Sequence, residues 1–135
     1  MGIAALMVID TSAIVSIIFA EPDAEQMATA IDAADQRLVS AATALEASVV
    51  IESEMDDTGR IELDLLIYRA RIEIVPFSAD QFEIARRAYR VYGRGRHPAG
   101  LNLGDCFSYA LSKSTGYPLL FKGDDFRQTD VVAAL

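Results

Sequence analysis

Four carboxylates are the residues of this 135-residue chain whose types and positions could do chemistry: Asp10, Glu46, Asp105 and Asp124. Asp10 ends the apolar run Leu6 to Ile9, which reads as a buried strand. In open α/β sheets, ligands bind beyond the carboxyl ends of strands. An Asx turn that caps the following helix accounts for the same residue. Glu46 lies in Ala41 to Ile51, a helix apolar on nearly every face, so the pattern predicts a buried carboxylate. Burying a charge is costly unless it is paired or bound to a metal; an arginine partner, or a helix edge at the surface, is the plainer explanation. Asp105 falls three residues after the proposed helix cap Asn102, where the helix dipole alone favours an acid. The same geometry aims its carboxylate outward from the top of the sheet. Asp124 follows the apolar run Leu119 to Phe121, where acidic turns are common, and the adjacent Asp125 could take its role.

Taken together, the four suggest one site. Clustered carboxylates repel one another, and their pKa values rise without a cation. A hard divalent ion relieves this, and all-oxygen ligation suits Mg²⁺ or Mn²⁺. Carboxylates around Mg²⁺ most often handle phosphates. The formal net charge of -8 argues against a polyanion as partner, but the distribution matters more than the sum. Sixteen of the twenty acids lie in residues 1 to 85, after which Arg86, Arg87, Arg90, Arg94 and Arg96 crowd together with His97. Arg94, Arg96 and His97 are the candidate phosphate contacts, because their loop directly precedes Asp105. The plainer reading of the helix arginines is a solvated face making ordinary ion pairs. A lone histidine rules against histidine-pair acid–base cleavage. The single cysteine, Cys106, permits no internal disulfide, excludes a thiolate-rich zinc site and reads as buried packing. Gly93-Arg94-Gly95 followed by Gly100 has the wrong spacing for a dinucleotide fingerprint and follows a helix.

The elements that must hold these residues follow from periodicity and caps. Strands are expected at Leu6 to Ile9, Arg37 to Val39, Ile72 to Val75 and Leu119 to Phe121. Helices are expected over Ala13 to Phe19 with Thr11 and Ser12 supplying the cap, from Pro22 to about Ala34, and from Ala41 to Ser53 after Ser40. A break at Asp56 to Gly59 separates a further helix, Ile61 to Arg71. Ser78 and Gln81 suggest a capping box, and Phe77 with Phe82 a hydrophobic staple, for a helix running to Tyr92. The last helix spans Leu103 to Ser114, closed by Gly116. Short apolar strands alternating with helices imply βαβ units around a parallel sheet in one α/β domain covering residues 1–135. With 52% hydrophobic and 24% charged residues the chain is expected to fold compactly. No apolar run approaches the about 20 residues a membrane span needs. Met1 to Leu6 carries no positive charge and is not read as a signal peptide; it reads as an upstream extension before Met7. The cytoplasm is the expected compartment.

The motifs, in order, resemble a known family. Met7-Val8-Ile9-Asp10-Thr11-Ser12-Ala13 is similar to the start of PIN-domain toxins of the VapC family, and Leu45-Glu46 resembles their second acidic position. Leu101-Asn102-Leu103-Gly104-Asp105-Cys106-Phe107-Ser108-Tyr109-Ala110 resembles the helix bearing the third acid, and Pro118 to Phe126 the last strand and acidic turn. The resemblance implies a PIN-like α/β/α fold with a short parallel sheet of four to five strands flanked by helices. It implies a homodimeric, metal-dependent endoribonuclease that cleaves structured RNA such as tRNA or rRNA and is neutralised by a cognate VapB antitoxin. Carried over, Asp10 and Asp105 bind Mg²⁺ or Mn²⁺, Glu46 and Asp124 complete the site, and Thr11 and Ser12 support it. Rival readings are a haloacid-dehalogenase-type phosphohydrolase, which wants a second aspartate where Ser12 stands, a PIN-like module that binds without cleaving, and a DNA nuclease.

Overall fold

In the computed structural model, which describes residues 5–135, four parallel strands run in the order β3-β2-β1-β4. They are β1 (Leu6–Ile9), β2 (Gln36–Ser40), β3 (Ile72–Val75) and β4 (Leu119–Leu120). The central β1 sits between β2, where Val8 pairs with Leu38, and β4, where Ile9 pairs with Leu120. Its apolar character follows from that place, because a parallel strand covered on both faces has no side that water reaches. Met7 and Ile9 point into one core with Leu120, whereas Val8 points into the other with Leu119. Five helices cover the two faces: α1 (Thr11–Ile18), α2 (Ala24–Ala33) and α3 (Ala41–Arg69) on the first, α4 (Ala79–Tyr92) and α5 (Leu103–Thr115) on the second. This is the expected α/β/α arrangement, with four strands. Residues 1–4, which hold most of the expected upstream extension, lie outside the described residues; Ala5 and Leu6 already bond to the β2 edge, through Asp35 and Gln36. Among the described residues no helix is long and apolar enough to cross a membrane.

Arg37 ties the layers together. Its guanidinium donates to the carbonyls of Ile31, Asp32 and Ala34 at the end of α2 and to Ala70 at the end of α3. A cation there meets the carbonyls that a helix end leaves unpaired and the negative end of two helix dipoles.

Several boundaries differ from the sequence expectation, each for a physical reason. The cap of α1 is Asp10, whose carboxylate accepts from the Ser12 amide at 3.0 Å, so Thr11 and Ser12 belong to the first turn. The second helix starts at Ala24 instead of Pro22; Asp23 stands at its cap but turns its carboxylate to Ser16 and Lys122. The expected break is a kink at one residue: Asp56 leaves helical geometry at φ 49°, ψ -135°, and α3 is two helical segments joined there, the second running to Arg69. Gly59 does not end a helix. It lets the chain turn closely past Ile51, whose Cγ2 would stand 2.7 Å from a β-carbon at that position. The capping box at Ser78 is half formed, because the Gln81 side-chain amide donates to the Pro76 carbonyl at 3.2 Å instead of turning back. Phe77 meets Phe107 edge-on, and Phe82 lies exposed beneath Arg86. The expectation that the Glu46 helix is buried all round is also corrected. The stripe Thr43, Ala47, Ile51 is buried, but Leu45 is 66% and Val49 62% exposed, because a helix laid on one face of a sheet buries a single stripe.

Candidate active site

Asp10 emerges from the carboxyl end of β1 and is only 2% exposed. One carboxylate oxygen accepts from the Ser12 amide at 3.0 Å and the Ser12 hydroxyl at 2.6 Å; the other accepts from the Ser108 hydroxyl at 2.6 Å. Since Ser108 spends its proton on Asp10, the Thr43 hydroxyl 3.2 Å away is the donor to Ser108. Asp10 therefore does both things the sequence allowed: it caps α1 and it stands at the strand end. Three donors on one carboxylate fix its orientation. Ser12 is itself held by the Lys122 amide at 3.0 Å, which joins the turn after β4 to the site.

Glu46 reaches the same edge from α3. The Thr11 hydroxyl donates to its Oε1, and its carboxylate lies against Gly104 at the start of α5. Glu46 is half-buried, with a hydroxyl partner and not the arginine that would have made it an ordinary ion pair. Asp105 occupies the first turn of α5 and closes a full capping box: its Oδ2 accepts from the Asn102 amide at 2.9 Å while its own amide donates to the Asn102 side chain at 2.9 Å. Burial pushes the Asp105 carboxyl up; the Asn102 bond pulls it down, and the charges of Asp10, Asp125 and Glu46 push it up again, to about 6. The three carboxylates thus share one field.

Asp124 and Asp125 are both exposed on the turn after β4, and their carbonyls open the short 3-10 turn Phe126–Gln128. Asp125 is the one whose charge is felt at Asp105. Lys122, on the same turn, directs its ammonium away to Glu21 at 3.2 Å and Asp23 at 3.3 Å. The loop after α4 is closed by bonds from the Arg94 amide to the Leu101 carbonyl and from the Leu101 amide to the Tyr92 carbonyl. This leaves Arg94 and Arg96 exposed just ahead of the Asn102 cap. His97 turns inward: its Nδ1 accepts from the Ala99 amide at 3.0 Å and its ring meets Tyr92 edge-on. Arg86 is engaged by Glu83 at 2.6 Å, the ordinary ion pair of a solvated face. Cys106 is buried, as expected.

In kind, this donor set fits a hard divalent cation: every acid is an oxygen donor, and Asp105, raised first by burial, is raised further by the charges of Asp10, Asp125 and Glu46. In spacing the set is open. Among the described residues no group of three acids, histidines or cysteines stands close enough together to hold an ion as placed. Sequence patterns alone do not single out Ser108, Thr43 or Gly104. Ser108 leaves a trace, a polar residue inside the largely apolar run Cys106 to Leu111, and Gly104 leaves another, a glycine in the first turn of a helix.

A strand-end aspartate, a capping-box aspartate and a helix-borne glutamate meeting on a four-stranded parallel sheet define a PIN domain, and the PIN-domain family matches residues 7–132. The haloacid-dehalogenase reading is set aside on that ground. A ribonuclease VapC from Mycolicibacterium smegmatis is 56% identical over 127 residues, covering 94% of this chain and 98% of that protein. The chain belongs to the VapC family of PIN-domain proteins. Two solved structures share the fold at low identity. The VapC20 toxin of Mycobacterium tuberculosis, described as cleaving the sarcin-ricin loop, superposes with a TM-score of 0.76 at 14% identity over 93% of this chain and 96% of its own. A chain of the VapBC2 complex of Rickettsia felis, bound to a DNA fragment from its promoter, gives 0.74 at 15% identity over 95% and 96%.

Proposed function

We propose that this chain is a metal-dependent endoribonuclease, the toxin of a VapBC-type pair. The observation that carries the reading is that Asp10, Glu46 and Asp105 lie at the carboxyl edge of the sheet, near enough that the charges of Asp10 and Glu46 raise the Asp105 carboxyl. Asp10 and Asp105 would hold Mg²⁺ or Mn²⁺, which when bound neutralises charge on a scissile phosphate and lowers the pKa of an attacking water. The protein groups do the positioning. Ser12 and Ser108 fix the Asp10 carboxylate in one plane, and the Asn102 amide leaves one oxygen of Asp105 free. Glu46, held by Thr11, orients the water or supports a second ion. The fourth acid is Asp125 in preference to Asp124, because its charge is the one that reaches Asp105. Arg94 and Arg96 contact phosphates beside the site, and His97 shapes their loop. The relatives' names support an RNA substrate and a VapB-type antitoxin; structured RNA such as tRNA or rRNA is the class we favour over DNA, and the cytoplasm the compartment. A homodimer and a VapB-type antitoxin complex are the partners we favour, from the VapC relatives and the VapBC2 complex.

Purified chain, freed of antitoxin, should cleave RNA only with added Mg²⁺ or Mn²⁺ and leave 5′-phosphate and 3′-hydroxyl ends. Cleavage that survives EDTA, or that leaves 2′,3′-cyclic ends, contradicts the proposal.

A further inference from the structure

Gly104 has no conformational reason to be glycine. It lies inside α5, whereas the glycines with positive φ are Gly95, Gly100, Gly116 and Gly123. A glycine within a helix costs up to about 1 kcal/mol relative to alanine. The reason is therefore space, and what fills the space is unusual. A β-carbon on Gly104 would stand well inside contact distance of both carboxylate oxygens of Glu46. At buried Gly59 the neighbours are instead apolar side chains and backbone. On its other side the Glu46 carboxylate is held by the Thr11 hydroxyl. Glu46 of α3 is thus seated between α1 and α5, against the first turn of a helix, where unpaired amides favour negative charge. The next residue in that turn is Asp105.

We propose that Gly104 is a positioning residue: by lacking a side chain it seats the Glu46 carboxylate beside Asp105. The atoms in the way are the far end of a flexible side chain, so a β-carbon would move the carboxylate and leave the fold intact. The inference rests on the metal-site reading above. Its test is the Gly104→Ala variant, made alone and together with Glu46→Ala. Gly104→Ala should melt at or above wild type, because alanine favours the helix. It should bind Mn²⁺ about 10–100-fold more weakly, as expected when an acid that supports the ion from beside its ligands is displaced, and lose cleavage in parallel. On top of Glu46→Ala, the same change should add nothing. Unchanged Mn²⁺ affinity, or an equal further loss in the Glu46→Ala background, would overturn the proposal. If Gly104→Ala fails to fold, rescue by Glu46→Ala supports it and persistent unfolding contradicts it. Wild-type protein that takes up no Mn²⁺ would sink the metal reading instead. A crystal structure of metal-free Gly104→Ala then decides the seat: Glu46 parted from Thr11 supports it, and Glu46 unmoved refutes it.

Discussion

At Asp105 two demands oppose each other. As the closing member of the capping box it accepts from the Asn102 amide, which favours the charged form; burial and the neighbouring acids favour the neutral one. The second demand prevails, and the carboxyl is pushed up from its usual 3.8 to about 6. The sign for stability follows from linkage. Between those two values the folded, metal-free protein holds a proton that the unfolded chain releases, so stability falls as pH rises through this window. Asp105→Asn removes the charge while keeping an oxygen for the Asn102 amide. Metal-free Asp105→Asn should therefore melt higher than wild type at pH 7.5, and the difference should shrink as pH falls toward 4. A melting series across that range checks it, and a difference independent of pH contradicts it. Asp105 is visible in the sequence because it pairs with Asn102 three residues away, a local signature. Ser108 is not, because its partner Asp10 is 98 residues distant and nothing local marks a hydroxyl as a donor to a remote carboxylate.

Among the elements, α3 shows most clearly what sequence patterns carry and what they do not. The polar stretch at Asp56 to Gly59 is legible as an interruption, yet a single residue absorbs it. Asp56 sits at φ 49°, ψ -135°, a conformation that costs a residue with a side chain about 1–3 kcal/mol. Asp56→Gly should relieve this and raise stability by about 1 kcal/mol, measured by urea unfolding with an unchanged m-value. Equal or lower stability would show that the Asp56 side chain compensates the strain. The four strands and their parallel pairing are readable, because buried parallel strands are short apolar runs separated by helices; their order, β3-β2-β1-β4, is not. Apolar composition overstates the burial around Glu46: it does not say which stripe of a helix meets the sheet, and Leu45 and Val49 face outward. The capping boxes divide in the same way. The Asn102–Asp105 box forms in full, whereas Gln81 finds a competing carbonyl at Pro76 that only the folded chain supplies.

On the scale of the whole molecule, an acidic chain of net charge -8 must attract a polyanion locally if it is to cleave RNA. The exposed Arg94 and Arg96, on a loop that leads into the helix of Asp105, are the proposed region. Reversing both charges, in Arg94→Glu with Arg96→Glu on an Asp10→Asn background expected to bind without cleaving, should weaken RNA binding. It should also lower the slope of log affinity against log salt by about 0.7 for each phosphate no longer neutralised. An unchanged slope would place the RNA elsewhere on the surface. The central claim, that carboxylates gathered at one sheet edge hold the ion on which cleavage depends, is most directly tested by titrating Mn²⁺ into the purified, antitoxin-free chain, with Asp10→Asn and Asp105→Asn alongside. Saturable binding to wild type that disappears in both variants, each still folded, is the predicted result. Wild-type protein that binds no Mn²⁺, or variants that bind it as well as wild type, would contradict the account.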